Sequence, residues 1–591
     1  MLSLLLALVA AEPSAQAAQM QAARMNDILA VGTHNSYKAA IPAEEMAAML
    51  ASAGPGALGL DYSHRPLAEE LDAGARQLEL DVVRDPQGGR FAQPKTAFGK
   101  GIVPTPAWAA AMAKPGYKVM HMQDVDFRTT CPTFVACLTE IRAWSKAHPD
   151  HAPILILLNA KDGPSSFPGG VEALPFDEKA FDALDGEIRS VFAEAELITP
   201  DQVQGKRATL REAVLADGWP ALGAARGKVF FALDESPKTV TAYRGARKSL
   251  EGRAMFVNTD EASPAAAYLT LNDPVGDRAR IAAAVKAGFI VRTRADADTV
   301  QARKNDVTMR SAAFSSGAQY VSTDYLWADP RFAGGYTVRL TGGEAATCNP
   351  VRMTKGCDAP FDSVAGAPAQ GYLNPAQRPD LTRTLAAPPA AGSPRAIADA
   401  AIFDQSRALK GSARWQRATD DVDGSTWKHF SEALGVTIDP TQAPILAALL
   451  ERAGDDRSVV GVAKTHWGTK RPYIGKTDAP ICEAKSAHLA GNPDYPSGHS
   501  AFGMHVAMIL AELAPSRADA LYARGRDYAE SRWICGSHSV SAAEAGMQSG
   551  ATIYAAEHVS PYFRRDMEAA RAELDSILSQ GGAKATSTAR P

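Results

Sequence analysis

Past its first residues the 591-residue chain has no apolar run long enough to cross a membrane, so a soluble mature protein is expected. Cysteine is scarce, with six in all, and their spacing fits no zinc site. They fall as neighbours: Cys131 with Cys137, Cys348 with Cys357, and Cys482 with Cys535. Net charge is small as well: 62 Lys and Arg against 66 Asp and Glu leave −4, which gives no electrostatic case for a nucleic-acid partner. No Lys or Arg precedes Arg24. Leu2 to Ala11 followed by Ala15-Gln16-Ala17 still reads as a secretory signal over residues 1–18, with the terminal amine as its only early cation. A periplasmic or secreted protein is therefore expected, and in that setting the six cysteines suggest three local disulfides.

What is present is enough chain for two or more hydrophobic cores. From Ile28 short apolar stretches alternate with helical segments. Ile28–Gly32, Arg76–Val82, Lys118–His121, Ile154–Leu158, Val229–Leu233, Ala254–Asn258, Phe289–Arg292 and Gln319–Thr323 read as strands. Eight such units fit a (β/α)₈ TIM-type barrel, in which function collects at the C-terminal strand ends. Polar residues gather there: Thr33-His34-Asn35-Ser36 after the first strand, Glu79 and Asp81 on one face of the second, His121 after the third, and Asn159-Ala160-Lys161 after the fourth. Two histidines can act as base and acid, while oxygen donors from Asn35, Glu79, Asp81 and Asn159 suit a hard cation such as Ca²⁺. The set contains no basic residue to replace that cation. Lys161, Asp234, Arg292 and Arg294 are either substrate contacts or buried ion pairs across the barrel mouth. His64, His148 and His151 read as surface or loop histidines.

Gly32-Thr33-His34-Asn35-Ser36-Tyr37, Tyr62-Ser63-His64-Arg65-Pro66-Leu67, Leu78-Glu79-Leu80-Asp81-Val82 and Val119-Met120-His121 with Asp126-Phe127-Arg128 together resemble the Ca²⁺-dependent phosphatidylinositol-specific phospholipase C-like phosphodiesterases. The resemblance implies His34 as general base, His121 as general acid, and Asn35, Glu79 and Asp81 as metal ligands. Where those enzymes usually end strand four in Glu, this chain has Asn159. The lost charge implies weaker Ca²⁺ binding.

The C-terminal third is organised around Asp494-Tyr-Pro-Ser-Gly-His-Ser500, just before an apolar helix from Ala501 to Ala514. Ser497 and Gly498 at a helix start leave backbone N–H groups facing an anion. Lys464, Arg471 and Arg532 supply fixed cations, and His499 and His538 supply imidazoles. Lys464-x6-Arg471-Pro472, Pro496-Ser497-Gly498-His499 and Ser531-Arg532-x5-His538 resemble the three-part signature of the type 2 phosphatidic acid phosphatase superfamily, nearest to its soluble class A acid phosphatases. The resemblance implies that Lys464, Arg471, Arg532 and the backbone at Ser497 and Gly498 bind phosphate. It makes His538 the nucleophile and His499 the proton donor, with no cofactor. That family places an Asp four residues after the nucleophile, where this chain has Ala542. A weakened site is therefore expected, one that binds phosphate better than it turns it over.

The domain expectation is a barrel over 24–355, a linker over 356–370, an all-α domain over 371–578 and a disordered tail over 579–591. Tyr372-Leu373 is expected to pack on the helical domain, and His505 to be a hydrogen-bonded core residue. The function expected is an exported bifunctional phosphoesterase acting on phosphodiesters and phosphomonoesters, phospholipid or inositol phosphate among them. A single-activity phosphodiesterase with a degenerate phosphate-binding module, or a glycerophosphodiesterase-type barrel, are the alternatives.

Overall fold

The computed structural model describes residues 23–95, 105–216, 218–353, 360–368, 370–437 and 440–587, with 580–587 as helical backbone only. The expected signal over 1–18, residue Cys357 and the last residues of the expected tail lie outside these. The chain divides into two compact units, Met1–Ala365 and Gly366–Pro591.

In the first unit, strands such as Ile154-Leu-Ile-Leu-Leu158 and Val229-Phe-Phe-Ala-Leu233 are buried on both faces, so they read as continuous apolar runs. The described strands include β1 (Ile28–Thr33), β2 (Gln77–Asp85), β3 (Gly116–Val119), β4 (Ile154–Ala160), β5 (Val229–Leu233), β6 (Met255–Val257), β7 (Tyr268–Thr270), β8 (Ile290–Arg294) and β9 (Tyr320–Thr323). Eight of them form a parallel sheet in the order β6-β5-β4-β2-β1-β9-β8-β7. A parallel bridge from Asn258 to Tyr268 brings its two ends together into a nearly closed barrel.

Two strand assignments change. β3 is antiparallel to β2, pairing Val119 with Val82, so it is a hairpin arm outside the barrel wall. The missing wall strand is β7, three residues that follow Ala265-Ala266-Ala267 and carry no readable periodicity. The hairpin nevertheless keeps His121 at the mouth, because Met120 N–H bonds the carbonyl of Asp81 at 3.2 Å. His64 and His151 are buried rather than at the surface. His64 Nδ1 pairs with Glu70 at 2.9 Å, and His151 Nε2 meets Ser145 Oγ at 2.7 Å.

The second unit is helical. Its principal helices are α1 (Pro444–Asp456), α2 (Ser458–Trp467), α3 (Gly498–Leu513), α4 (Ala518–Cys535), α5 (Val540–Glu557) and α6 (Pro561–Ser587). α6 continues to Ser587, through residues whose small polar composition suggests a tail. α3 is the centre, buried along Val506, Ala507, Ile509 and Leu510 and clustered with Leu446 and Leu449 of α1. α5 lies unusually close to it. A methyl group at Gly550 would stand 2.5 Å from the Ala501 carbonyl, and one at Gly546 would stand 2.4 Å from that of Ser497. Only glycine permits this approach, and overpacking of this kind typically costs about 1–3 kcal/mol.

Tyr372 packs into the helical unit as expected, its hydroxyl donating to Asp566 at 2.9 Å. A buried hydrogen bond of this kind contributes roughly 0.5–3 kcal/mol, the upper end applying to charged acceptors. His505 is indeed a core residue, with Nε2 2.7 Å from Glu557. Cys131 and Cys137 form a disulfide, and Cys348 is disulfide-bonded. Cys482 and Cys535, expected as a third bridge, are instead free thiols in contact. The main chain joins them: Cys482 N–H points at the carbonyl of Cys535 at 3.2 Å and at its sulfur at 3.1 Å.

Candidate active sites

The barrel mouth holds two imidazoles built alike. His34 follows β1, and its Nδ1 lies 2.8 Å from Asp324 Oδ1, whose other oxygen accepts from Arg294 at 3.1 Å. His121 follows β3, and its Nδ1 lies 2.8 Å from Asp126 Oδ2, whose other oxygen accepts from Lys38 at 3.0 Å. In each case a buried carboxylate, itself held by a cation, fixes one ring nitrogen and leaves Nε2 for chemistry. Burial, and next the Arg294 charge, push the His34 pKa well below its ordinary value, so the ring is neutral and able to accept a proton. Tyr62 completes the arrangement: its hydroxyl accepts from Asn35 at 2.8 Å and lies 3.2 Å from His34 Nδ1. Asp324, Asp126 as an orienting group, and Tyr62 were not assigned from sequence. Asp324 was findable, since it directly follows the last barrel strand.

Asn35 adopts φ 52°, a left-handed turn that asparagine tolerates. The turn is pinned by Ser36 N–H on the carbonyl of Glu79 at 3.0 Å. Asn35 Oδ1 accepts from Tyr37 at 3.3 Å, Glu79 Oε1 meets the Asn159 amide at 3.2 Å, and Asp81 is buried alongside. The expectation of no basic residue among the ligands fails. Lys161 Nζ sits 3.1 Å from Asp81, and Arg292 Nη2 sits 2.8 Å from Glu79. These are the ion pairs that the sequence left open, brought in from β4 and β8 by barrel closure. Asp234, for its part, accepts from Asn258 at 2.8 Å.

The residues fit a hard cation. Neither buried carboxylate oxygen of Asp81 has a well-aligned hydrogen-bond partner among the described residues, although Lys161 at 3.1 Å and the Tyr37 hydroxyl both interact with it. Among the described residues no group of three or more His, Cys, Asp and Glu is placed to hold a metal. The set here is two carboxylates completed by amide oxygens. A cavity of about 400 Å³ is lined by Tyr62, His64, Arg65, Asp324, Trp327 and Arg331, and so shares Tyr62 and Asp324 with the His34 arrangement.

In the helical unit Ser497 caps α3, its hydroxyl accepting from Ser500 N–H at 3.3 Å. The first-turn N–H groups of Gly498 and His499 have no carbonyl partner within the helix. Lys464 Nζ is fixed on the Pro493 carbonyl at 2.5 Å, and Arg471 on the carbonyls of Asn492 at 2.7 Å and Ser537 at 2.8 Å. Arg532 is fully buried; Nη2 bonds Glu483 at 2.5 Å, while Nε and Nη1 have no hydrogen-bond partner among the described residues. Unspent donors on a buried guanidinium are what an oxyanion would take.

His538 is buried between these cations. Its Nδ1 lies 2.7 Å from the carbonyl and 2.9 Å from the carboxylate of Asp494, so Nδ1 carries the proton. Nε2 keeps its lone pair, 3.1 Å from Arg471 Nη1. Burial, then Arg471, Lys464 and Arg532, press the His538 pKa well below its ordinary value and keep the ring neutral. The imidazole is therefore held from Asp494 rather than from position 542. Ala542 is buried, and its carbonyl accepts from Ser497 N–H at 2.9 Å. Glu544 is engaged by Arg395 at the surface. His499 Nε2 lies 3.0 Å from the Val422 carbonyl, and the Arg532 charge, with burial, brings its pKa down to about 4. All five expected residues, Lys464, Arg471, His499, Arg532 and His538, surround the start of α3.

Both units belong to families of phosphoric ester hydrolases. The family model for Ca²⁺-dependent phosphoinositide phospholipase C matches residues 23–350, and that for the PAP2 superfamily matches 445–566. An acid phosphatase of Zymomonas mobilis is 43% identical over 196 residues, covering 32% of this chain and 74% of that protein. A non-specific acid phosphatase of Salmonella typhimurium is 31% identical over 213 residues, covering 35% and 84%. The chain belongs to the Ca²⁺-dependent phosphoinositide phospholipase C family and, through its helical unit, to the acid phosphatases of the PAP2 superfamily. A calcium-dependent phosphoinositol-specific phospholipase C from Pseudomonas covers 56% of this chain and 97% of its own, at 18% identity and TM-score 0.36, too low to argue from. The barrel here rests on its own strand order. Among the described residues no helix is long and apolar enough to cross a membrane.

Proposed function

We propose that this is an exported bifunctional phosphoesterase. The barrel cleaves a phosphodiester of the phosphoinositide class, and the helical unit hydrolyses a phosphomonoester through a phosphohistidine. One observation carries this: each unit holds its own imidazole with Nδ1 fixed on a buried carboxylate, so that the lone pair stays on Nε2, which in His538 accepts from Arg471 Nη1 at 3.1 Å. In the barrel, His34 takes the proton of the attacking hydroxyl and His121 returns one to the departing alcohol. Asn35, Glu79 and Asp81 would hold Ca²⁺, with Asn159 beside them. The ion would supply positive charge to a phosphoryl oxygen. In the helical unit the His538 Nε2 lone pair attacks phosphorus and the ester P–O bond breaks. The leaving oxygen takes a proton from His499, which the bound phosphate's negative charge keeps protonated against Arg532. Water then attacks the phosphohistidine, giving its proton to His499, while the P–Nε2 bond breaks, the lone pair returns to His538 and inorganic phosphate leaves. A phosphomonoester released by the barrel is the class of substrate the second unit consumes.

The test uses the full chain with a phosphoinositide diester and a separate monoester. Chelation should abolish diester cleavage, added Ca²⁺ should restore it, and monoester hydrolysis should not change. Full diesterase activity in chelator would sink the metal reading. Lys161→Met should lower the Ca²⁺ concentration needed, by removing a cation 3.1 Å from Asp81.

A pH dependence follows for the phosphatase. Burial, then the Arg471 charge, brings Lys464 down to about 7 in the free site. It is charged below that pH and loses its charge above it, so phosphate affinity falls as pH rises through about 7. Inhibition by inorganic phosphate from pH 5 to 9 should show that limb, each value corrected for phosphate's own titration. Lys464→Arg, whose charge persists, should move the limb to higher pH. An unchanged limb would remove Lys464 as its cause.

A further inference from the structure

We propose that Asp494 is the positioning carboxylate for His538, standing in for the Asp that the acid phosphatases carry four residues after the nucleophile. The proposal rests on the phosphohistidine reading and deepens it. Asp494 is 5% exposed and lies two residues before Pro496, on the loop that enters α3. It reaches His538 with two acceptors, main-chain and side-chain, at 2.7 and 2.9 Å. Its other oxygen, Oδ2, accepts from the Ser539 hydroxyl at 2.7 Å, and Ser539 in turn caps α5 by accepting from Ala542 N–H at 3.1 Å.

The carboxylate thus sits between the nucleophile and the helix turn where the family's Asp would be. The loop that presents it is rigidly held. Asp494 N–H bonds the Thr469 carbonyl at 2.9 Å, Tyr495 N–H bonds Thr469 Oγ1 at 3.0 Å, and Tyr495 OH bonds the Ala386 carbonyl at 2.6 Å. Burial raises the Asp494 pKa to about 6, while its bonds from Ser539 and the charges of Arg471 and Lys464 favour the ionised form. An anion held at Nδ1 stabilises the positive charge the ring gains when Nε2 attacks phosphorus. The Asp494 carbonyl alone fixes the tautomer; the carboxylate adds the charge.

The swap changes what Ala542 means. If the site has already been repaired from the other side, Ala542→Asp in the native chain should change monoester kcat by less than about threefold. Asp494→Asn should lower kcat by about 10²–10³, less than the roughly 10⁴ lost when an orienting carboxylate also sets the tautomer. The inhibition constant for inorganic phosphate should stay within about threefold, because Lys464, Arg471 and Arg532 remain. The decisive variant is the transposition, Asp494→Asn with Ala542→Asp, which should recover at least about tenfold over Asp494→Asn. Ser539→Ala removes the hydroxyl that donates to Oδ2 but keeps the Ser539 N–H on the carboxylate and the contact with His538, so it should retain kcat within about threefold.

Asp494→Asn with native kcat overturns the proposal. So does a Ser539→Ala loss equal to that of Asp494→Asn, which would assign the effect to loop anchoring. Should Asp494→Asn fail to fold, Asp494→Glu keeps the charge and displaces it by one methylene. It should lose at least about tenfold in kcat with native phosphate inhibition, and an unchanged kcat overturns the proposal. Loss of activity in His538→Ala is the control for the underlying reading: if that variant stays active, the phosphohistidine itself falls.

Discussion

His538→Ala should remove phosphomonoester hydrolysis by about 10⁴-fold or more, the loss expected when a covalent nucleophile is deleted. It should leave diester cleavage by the barrel at its native rate. The physical case is the state of Nε2. Nδ1 spends its proton on Asp494, and burial among three cations keeps the ring from taking a second. The lone pair therefore stays on Nε2 in the free site. Phosphate binding should survive, since Lys464, Arg471 and Arg532 each keep their main-chain or carboxylate partners without the ring. The measurement is a rapid-quench search for acid-labile phosphoenzyme on a slow monoester, with inorganic phosphate inhibition alongside. A phosphoenzyme that persists in His538→Ala would place the covalent bond elsewhere.

Asp324→Asn should lower diester turnover by about 10³–10⁴ with little change in KM. Asp324 is buried and holds His34 Nδ1 at 2.8 Å. An amide there can present its NH₂ to Nδ1 as readily as its oxygen. The proton then moves to Nε2, and the ring can no longer accept one from the attacking hydroxyl. The substitution also strips Arg294 of a charged partner at 3.1 Å, so the neutral-ring bias at His34 strengthens rather than relaxes. Monoester hydrolysis in the same preparation reports whether the chain is folded. A KM rise with unchanged kcat would make Asp324 a substrate contact instead.

The parts of both sites that lie in contiguous motifs were legible in the sequence. His34-Asn35, Glu79-Leu-Asp81 and Pro496-Ser-Gly-His499 each follow or start an element whose apolar pattern is strong, so their placement follows from the element. What escaped depended on closure in three dimensions. β7 is three residues long, too short for a period, and β3 has the apolar content of a wall strand but turns back on β2. Lys161 and Arg292 meet Asp81 and Glu79 only because β4 and β8 bring them around one mouth. Asp494 was visible throughout as the start of the motif. Its role was hidden because a carboxylate 44 positions from its imidazole leaves no spacing signal.

The close approach of α5 to α3 through Gly546 and Gly550 has a consequence for how the phosphatase can vary. The nucleophile precedes α5 and the anion-binding N–H groups open α3, so the distance between attacker and target is a helix-packing distance. It is set at the first turn of α3, where Gly546 meets Ser497 and Gly550 meets Ala501, by the absence of two methyl groups. Attack geometry tolerates little: a displacement of about 1 Å can cost roughly 10²-fold in rate. The glycine seam therefore acts as a gauge block between the two halves of the reaction. Drift in the sequence that respects the core but thickens this seam would silence the enzyme while the fold still stands.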